Sequence, residues 1–289
     1  YGTINEKQKE KAIKNAHKFQ IPEGQFWKDI AKAPLDEKNE KIDIALNAIA
    51  DANPKLKGII NTVKWNEAAP DGSGGKRLDP KILQELINHL DPMDLSNANV
   101  PLDILGHAYE YLIKRFADEN KGGTVAGQFY TPPEVVELMV RYISPTNGMR
   151  VYDPTCGSGG FLIKAADYVK ETQGELKGLR LYGQETIWNT WAIATMNLLL
   201  HGLEGEIKQG DTIQNPKFKN PDDTIETFDV VLANFPFSVE NWAGNGTPKK
   251  DKKGKAVLNN DGSPKYDYPA KDTYVDPYNR LIYGTPNFT

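Results

Sequence analysis

The stretch Asp153-Pro154-Thr155-Cys156-Gly157-Ser158-Gly159-Gly160-Phe161 decides the fold of this chain. It follows the β-prone residues Val151 and Tyr152, and it opens a predicted helix over residues 161–169. Glycines at a strand-to-helix turn allow tight backbone turns and let a ligand approach the N-terminus of the helix. The stretch therefore predicts the first strand, turn and helix of an α/β domain that binds a small ligand.

The glycines do not follow the dinucleotide-binding pattern G-x-G-x-x-G. The third glycine of that pattern would fall on Leu162, and Asp153 would repel a pyrophosphate. A ligand that carries an ammonium and a sulfonium gains instead from a carboxylate at this place. S-adenosylmethionine is such a ligand, and a purely structural turn remains the alternative.

The chain after residue 150 alternates short β-prone runs with helices. The runs lie at 151–152, 179–182, 207 and 228–233, and each is close to one polar residue. These polar residues are Asp153, Glu185, Asp211 and Asn234. Their spacing suits successive β-loop-α units, which build a doubly wound, mostly parallel, Rossmann-like sheet. Ligands bind such sheets beyond the carboxyl ends of the strands, where these four residues are expected.

Two of the carboxylates suit a nucleoside. Glu185 follows the second strand, where an acidic side chain can accept hydrogen bonds from both ribose hydroxyls. Asp211 follows the third strand and can accept from an adenine amino group. Each alone is more often a solvated loop carboxylate, but three at successive strand ends favour a nucleoside site.

The segment Asn234-Phe235-Pro236-Phe237 follows the fourth strand. Methylation of an exocyclic amine requires acceptors for its N–H groups, so that the nitrogen lone pair points at the sulfonium methyl group. The Asn234 side chain and the Phe235 carbonyl supply such acceptors, and Pro236 biases Phe235 toward an extended backbone. Phe237 offers an aromatic face for a flipped base. A loop whose aromatic side chains simply pack inward remains equally compatible with this segment.

The segment Gly127-Gln128-Phe129-Tyr130-Thr131-Pro132-Pro133-Glu134 precedes a predicted amphipathic helix. Thr131 as N-cap, Pro132 at the first helical position and Glu134 at the third predict a capping box. The aromatic residues before this helix can pack against a ligand.

Length and composition divide the chain into two predicted domains. The 289 residues contain 39% hydrophobic and 26% charged residues, and no apolar stretch is long enough to span a membrane. The first domain, residues 1–100, has helical periodicity, including a helix that Asp79 caps and Pro80 begins. The second, residues 101–289, carries the α/β pattern, and we expect the last strands of its sheet to be absent from this sequence.

Charge and cysteine usage limit the function classes. A net charge of −4 argues against a free-standing protein that binds nucleic acid through overall basicity. Cys156 is the only cysteine and no Cys/His cluster has metal-ligand spacing, so we expect a reducing, cytoplasmic location and no metal site. The chain begins at Tyr1 without a Met, so we expect the natural start further upstream. The polar, lysine-rich stretch to Lys18 has no apolar segment and is not expected to be a secretory signal.

The order of these motifs resembles that of N6-adenine DNA methyltransferases. More narrowly, the chain is similar to the modification (M) subunit of type I restriction-modification systems. Two segments carry the narrower resemblance: Leu105-Gly106-His107-Ala108-Tyr109-Glu110-Tyr111-Leu112 and Gln128-Phe129-Tyr130-Thr131-Pro132. The resemblance is strongest from Pro101 to Ser238.

The resemblance implies transfer of a methyl group from S-adenosylmethionine to N6 of adenine in DNA, which protects host DNA. The implied cofactor residues, including the carboxylates discussed above, are Gln128, Phe129, Tyr130, Thr131, Pro132, Pro133, Asp153, Gly157, Ser158, Gly159, Gly160, Glu185 and Asp211. The implied target-base residues are Asn234, Phe235, Pro236 and Phe237. The implied partners are DNA, a specificity (S) subunit and a second copy of the M subunit, and a restriction (R) subunit remains open.

One position departs from the family pattern. The family usually has Asn-Pro-Pro followed by Phe or Tyr, whereas Phe235 holds the second place here. That position acts through its carbonyl, so activity is expected to survive with altered loop geometry or rate. Two other functions stay open: a self-sufficient methyltransferase of adenine or of an RNA or protein-glutamine amine, and a non-catalytic assembly subunit.

Overall fold

The first strand, β1 (Arg150–Asp153), leads directly into the glycine turn. The computed structural model describes residues 19–68, 78–95, 99–100, 102–119, 131–235, 247–251, 255, 257, 266–267 and 276–281. Contacts divide the chain after Ile104 into two compact units.

The described residues of the N-terminal unit form short helices around a small apolar core. The helices are α1 (Trp27–Ala31), α2 (Lys38–Ala52), a 3-10 helix (Pro54–Leu56) and α3 (Pro80–Leu90). The Asp79 side chain accepts a hydrogen bond of 2.8 Å from the Lys81 N–H, and this confirms the predicted cap of α3. The buried apolar side chains are Ala45, Ala50, Leu56, Ile59, Leu83 and Ile87.

Besides β1, the remaining elements are α4 (Leu102–Glu119), α5 (Pro133–Ile143), α6 (Gly160–Gln173), β2 (Arg180–Glu185), α7 (Trp188–Leu200), β3 (Gly205–Gln209), β4 (Val230–Val231), β5 (Thr247–Pro248) and β6 (Tyr266–Asp267). From β1 to β3 strands and helices alternate as predicted, whereas the described residues between β3 and β4 contain no helix. Strands β5 and β6 pair with each other in an antiparallel ribbon. None of the described helices has the length and apolar character needed to cross a bilayer.

Strands β1 to β4 form one parallel sheet in the order β3-β2-β1-β4. The chain winds outward from β1 through β2 to β3, and it then returns to the other side of β1 for β4. Val151 of β1 accordingly lies opposite Leu181 of β2 and Val230 of β4. Ligands bind at such a reversal of strand order, beyond the carboxyl ends of the strands. The predicted α/β fold class is confirmed.

The two faces of the sheet bury different side chains, because side chains alternate along a strand. Val151 is fully buried on the face that packs against helices α5, α6 and α7. Tyr152, the next residue, belongs to the reverse face and stacks on Phe228 with ring centroids 4.4 Å apart. Tyr182 and Phe218 complete an aromatic cluster there. The sheet therefore has a helical layer on one side and an aromatic layer on the other.

The fourth strand is shorter than the predicted run over residues 228–233. Only Val230 and Val231 pair in register with β1. The Leu232 N–H still donates to the Tyr152 carbonyl at 2.9 Å, so the backbone stays beside β1 beyond the strand. Phe228, which lies before the strand, joins the aromatic cluster.

Candidate functional site

Asp153 ends β1 and is almost completely buried, with 1% of its surface exposed. Its carboxylate accepts a hydrogen bond of 3.0 Å from the Thr155 N–H, which begins the turn. Burial raises the pKa of Asp153 to about 7, and the nearby Glu185 carboxylate acts in the same direction, whereas the bond from Thr155 opposes it. A cation beside this carboxyl would favour its ionised form.

The turn from Cys156 to Gly160 depends on its glycines. Gly157 and Gly159 have φ angles of +53° and +86°, a backbone conformation that residues with a Cβ rarely adopt. A Cβ on Gly159 would also lie 2.9 Å from the Leu198 side chain. Gly160 begins α6 beside open space, and no side chain caps this helix at Gly159. The N-terminus of α6 therefore offers N–H groups to a ligand.

Glu185 ends β2 and joins that strand to the turn. One carboxylate oxygen accepts from the Gly157 N–H at 3.0 Å, and the other accepts from the Ile187 N–H at 2.8 Å. Burial raises the pKa of Glu185, and these backbone hydrogen bonds counteract part of the shift. A carboxylate has about four lone-pair positions, so Glu185 keeps acceptor capacity for ribose hydroxyls. The carboxylates and the glycine turn thus fit S-adenosylmethionine.

Asp211 lies two residues after β3 and organises the loop that follows. One of its carboxylate oxygens accepts from the N–H groups of Ile213 at 2.8 Å and Gln214 at 2.9 Å. The side chain is half-buried at the same sheet edge as Asp153 and Glu185. Its predicted bond to an adenine amino group remains a prediction.

Asn234 lies three residues after β4 and contacts the segment before α5. Its Nδ2 donates a hydrogen bond of 3.0 Å to Thr131 Oγ1. The predicted capping box is wrong, because α5 begins at Pro133 with Pro132 as its N-cap. This shift frees the Thr131 hydroxyl from a capping role, and the hydroxyl instead holds the amide of Asn234. Oδ1 of that amide is then left to accept from a substrate amine.

The other predicted site residues fall into three groups. Ser158 is buried in the turn, where its carbonyl accepts from Asn197 Nδ2 at 3.0 Å. Pro132, Pro133 and Phe235 are exposed, Phe235 by 54%. The last group lies outside the described residues: Gln128, Phe129, Tyr130, Pro236 and Phe237.

Two buried polar residues that position the site were not predicted. Gln184 is fully buried, and its amide nitrogen donates to the carbonyls of Gly210 and Asn215, both at 3.0 Å. Asn197 on α7 fixes the carbonyl of Ser158, as described above. For Asn197, the available signal was a polar residue on a helix rich in apolar residues. The strand Arg180–Glu185 carries several polar residues, so its pattern did not single out Gln184.

Arg280 supports the Asp211 loop from the far end of the chain. Its guanidinium donates to the carbonyls of Thr212, at 2.7 Å, and Ile213, and it forms an ion pair with the buried Asp276. That pair lowers the pKa of Asp276. Sequence pattern has no signal for this contact, because the loop and Arg280 are far apart along the chain.

Comparison with protein families matches both parts of the chain. A family described as N-6 DNA Methylase matches residues 101–268, and one described as HsdM N-terminal domain matches residues 3–90. The type I restriction enzyme HindI methylase subunit of Haemophilus influenzae is 32% identical over 204 residues, which are 70% of this chain and 44% of that protein. The MjaIX methylase subunit of Methanocaldococcus jannaschii is 30% identical over 71% of this chain and 34% of that protein. The chain thus spans less than half the length of these two relatives.

Solved structures share the fold. The methyltransferase subunit of a type I restriction-modification system from Streptococcus thermophilus superposes with a TM-score of 0.66 at 24% identity. The match covers 83% of this chain and 50% of that one. A second structure, described as showing complex assembly and conformational transition of a type I system, has a TM-score of 0.57 at 22% identity. It covers 88% of this chain and 50% of the other.

Proposed function

Because the chain belongs to the N-6 DNA methylase family, we propose that it is the catalytic part of a type I modification subunit. It transfers the methyl group of S-adenosylmethionine to N6 of adenine in DNA. The methylated DNA is then protected from the restriction activity of the same system.

The observation that carries this proposal is the strand order β3-β2-β1-β4. It brings Asp153, Glu185 and Asp211 to one edge of a parallel sheet and places Asn234 beyond the neighbouring strand β4. Carboxylates that suit a cationic nucleoside therefore lie beside an amide that suits a planar amine. This pairing is what a methyltransferase for an exocyclic amine requires.

On the cofactor side, the Asp153 and Glu185 carboxylates are buried and Asp211 is half-buried. Asp153 holds the ammonium group of the cofactor. Its amino acid moiety is enclosed by the N-terminus of α6 and by the turn from Gly157 to Gly160. Glu185 accepts hydrogen bonds from the ribose hydroxyls. Asp211 accepts from the adenine amino group, and the segment 128–133 contacts the cofactor. S-adenosylmethionine, when bound, supplies an electrophilic methyl group on a sulfonium.

The target side orients the adenine amine without a strong base. Asn234 Oδ1 and the Phe235 carbonyl accept the two N6 hydrogens, which turns the nitrogen lone pair toward the methyl group. With Asn234 Nδ2 bonded to Thr131 Oγ1, Oδ1 of the same amide faces the substrate. Phe237 stacks on the flipped base.

The net charge of −4 indicates that DNA binding depends on partners. We propose a specificity (S) subunit and a second modification subunit as those partners, with a restriction (R) subunit in the complete system. The helices of the N-terminal unit contact the specificity subunit and DNA, and the assembly acts in the cytoplasm. Titration of labelled duplexes should show weak, sequence-independent binding by the isolated chain and selective binding by the complex. Tight, selective binding by the chain alone would indicate a self-sufficient enzyme.

The decisive experiment is mass spectrometry of nucleosides after DNA is incubated with the complete complex and labelled S-adenosylmethionine. The expected product is N6-methyladenine. Methylcytosine would overturn the assignment of the target base. Cofactor binding without any methylated product on cognate DNA would indicate a non-catalytic assembly subunit.

A further inference from the structure

Two histidines and a glutamate, outside the site described above, meet near the C-terminal end of α7. His107 and Glu110 lie three residues apart on α4, which places them on the same helix face, and His201 is the C-cap residue of α7. Glu110 Oε2 lies 3.7 Å from His107 Nδ1 and 3.8 Å from His201 Nε2. The three potential ligand atoms all lie within 4.8 Å of one another.

The His201 side chain is buried, and its Nε2 lacks a hydrogen bond. Its side chain is 4% exposed, and among the described residues no atom is a hydrogen-bond partner of that nitrogen. Burial lowers the pKa of His201, although the nearby carboxylates of Glu110 and Asp167 act in the opposite direction. A buried nitrogen without a partner is costly, and a neutral imidazole nitrogen is the form that binds metals.

The backbone of α4 approaches His201 closely because residue 106 is glycine. A Cβ on Gly106 would lie 2.6–2.8 Å from atoms of the His201 ring. This packing brings the ring into place beside Glu110. The two imidazole rings of His107 and His201 are nearly perpendicular, at 85°, with centroids 5.2 Å apart.

Although sequence spacing predicts no metal site, we propose that His107 Nδ1, Glu110 Oε2 and His201 Nε2 form a zinc-binding site that fastens α4 to the end of α7. Zinc bonds to histidine nitrogen and carboxylate oxygen are about 2.0–2.2 Å long, so tetrahedral ligands lie about 3.3–3.5 Å apart. The two distances to Glu110 are only a few tenths of an ångström longer. His107 Nδ1 and His201 Nε2 lie within 4.8 Å of each other, and rotation of the exposed His107 side chain brings these two atoms closer. A water molecule completes the coordination on the His107 side.

Zinc titration of the untagged 289-residue chain tests the proposal. We expect one zinc ion per chain, and a melting temperature about 5–10 °C higher at a free zinc concentration of 100 times Kd. His107→Ala should weaken zinc binding at least about tenfold, because even residues that only support a ligand contribute ten- to a hundredfold. His89→Ala is the matched control, since His89 is also an exposed histidine on a helix. It should bind zinc as the wild type does.

Glu110→Gln keeps the shape of the side chain and provides a second test. Its circular dichroism should match that of the wild type, and its zinc affinity should fall as in His107→Ala. Magnesium, which prefers oxygen ligands, should not raise the melting temperature. Absence of zinc binding by the wild type, or equal zinc affinity in the wild type and both site variants, would overturn the proposal.

Discussion

The cofactor side and the target side of the candidate site differ in how far the protein itself has organised them. Asp153 and Glu185 are 1% and 9% exposed, and backbone N–H groups hold their carboxylates. Phe235 on the target side is 54% exposed, and Asn234 is exposed with a single described side-chain bond, to Thr131. The cofactor side is thus built before ligands arrive, whereas the target side depends on the incoming base for its burial. Substitutions on the cofactor side should therefore change the affinity for S-adenosylmethionine, whereas substitutions on the target side should change turnover.

The largest expected effect is on turnover, from the target side. Asn234→Ala removes the acceptor proposed to orient the amine, and loss of one hydrogen-bonding group that acts in the transition state costs about 10²–10³ in kcat. Affinity for S-adenosylmethionine should stay close to that of the wild type, because Asn234 lies on the other side of the site. Methylation assays of the complex and calorimetry of the chain check these two quantities. Full activity in Asn234→Ala would show that Asn234 does not act on the target side.

The next effect is on cofactor affinity. A lost charge-assisted hydrogen bond costs about 1.5–3 kcal/mol, so Glu185→Ala should weaken S-adenosylmethionine binding by roughly ten- to a hundredfold. Glu185→Gln keeps one oxygen acceptor, so its affinity for S-adenosylmethionine should lie between those of Glu185→Ala and the wild type. Glu175→Ala, which changes an exposed glutamate, is the matched control. Unchanged affinity in a folded Glu185→Ala protein would remove Glu185 from the site.

A pH effect of about tenfold is expected from Asp153. Its pKa of about 7 in the free protein falls when the cofactor ammonium binds, because a nearby cation favours the carboxylate. Binding then releases a proton, so affinity should be about tenfold greater at pH 8 than at pH 6. Calorimetry across this range measures the dependence. Asp153→Asn should bind more weakly and without this slope, and an unchanged slope would assign the titration to another group.

The smallest effect concerns Thr131, which connects the two sides. Thr131→Val removes the acceptor for Asn234 Nδ2, and a neutral hydrogen bond contributes about 0.5–1.5 kcal/mol. We expect kcat to fall roughly two- to tenfold, and Thr131→Ser to restore it. If cofactor affinity falls while kcat is unchanged, Thr131 contacts the cofactor and does not position Asn234.

The local sequence pattern was sufficient to predict the main helices and strands of the fold. It did not predict the residue at which α5 begins. The strand before Asp153, the turn at Gly157 and Gly159, and the Asp79 cap depend on neighbours in the chain, so their residue types predict them. The start of α5 did not follow its sequence pattern, because Pro132 caps the helix and Thr131 contacts Asn234, a residue 103 positions away. Gln184 and Arg280 were missed for the same reason, since their partners are backbone carbonyls of a distant loop.

The sequence by itself determined the fold class, the family and which polar residues follow each strand, because these features reside in local patterns and in the order of motifs. Only the tertiary structure decided that β4 lies beside β1, so that Asn234 and Asp153 belong to neighbouring strands. It also decided that Glu185 closes the turn at Gly157 and that His201 reaches Glu110. These contacts join residues far apart in the chain, and they arise from strand pairing and helix packing, which no local pattern specifies.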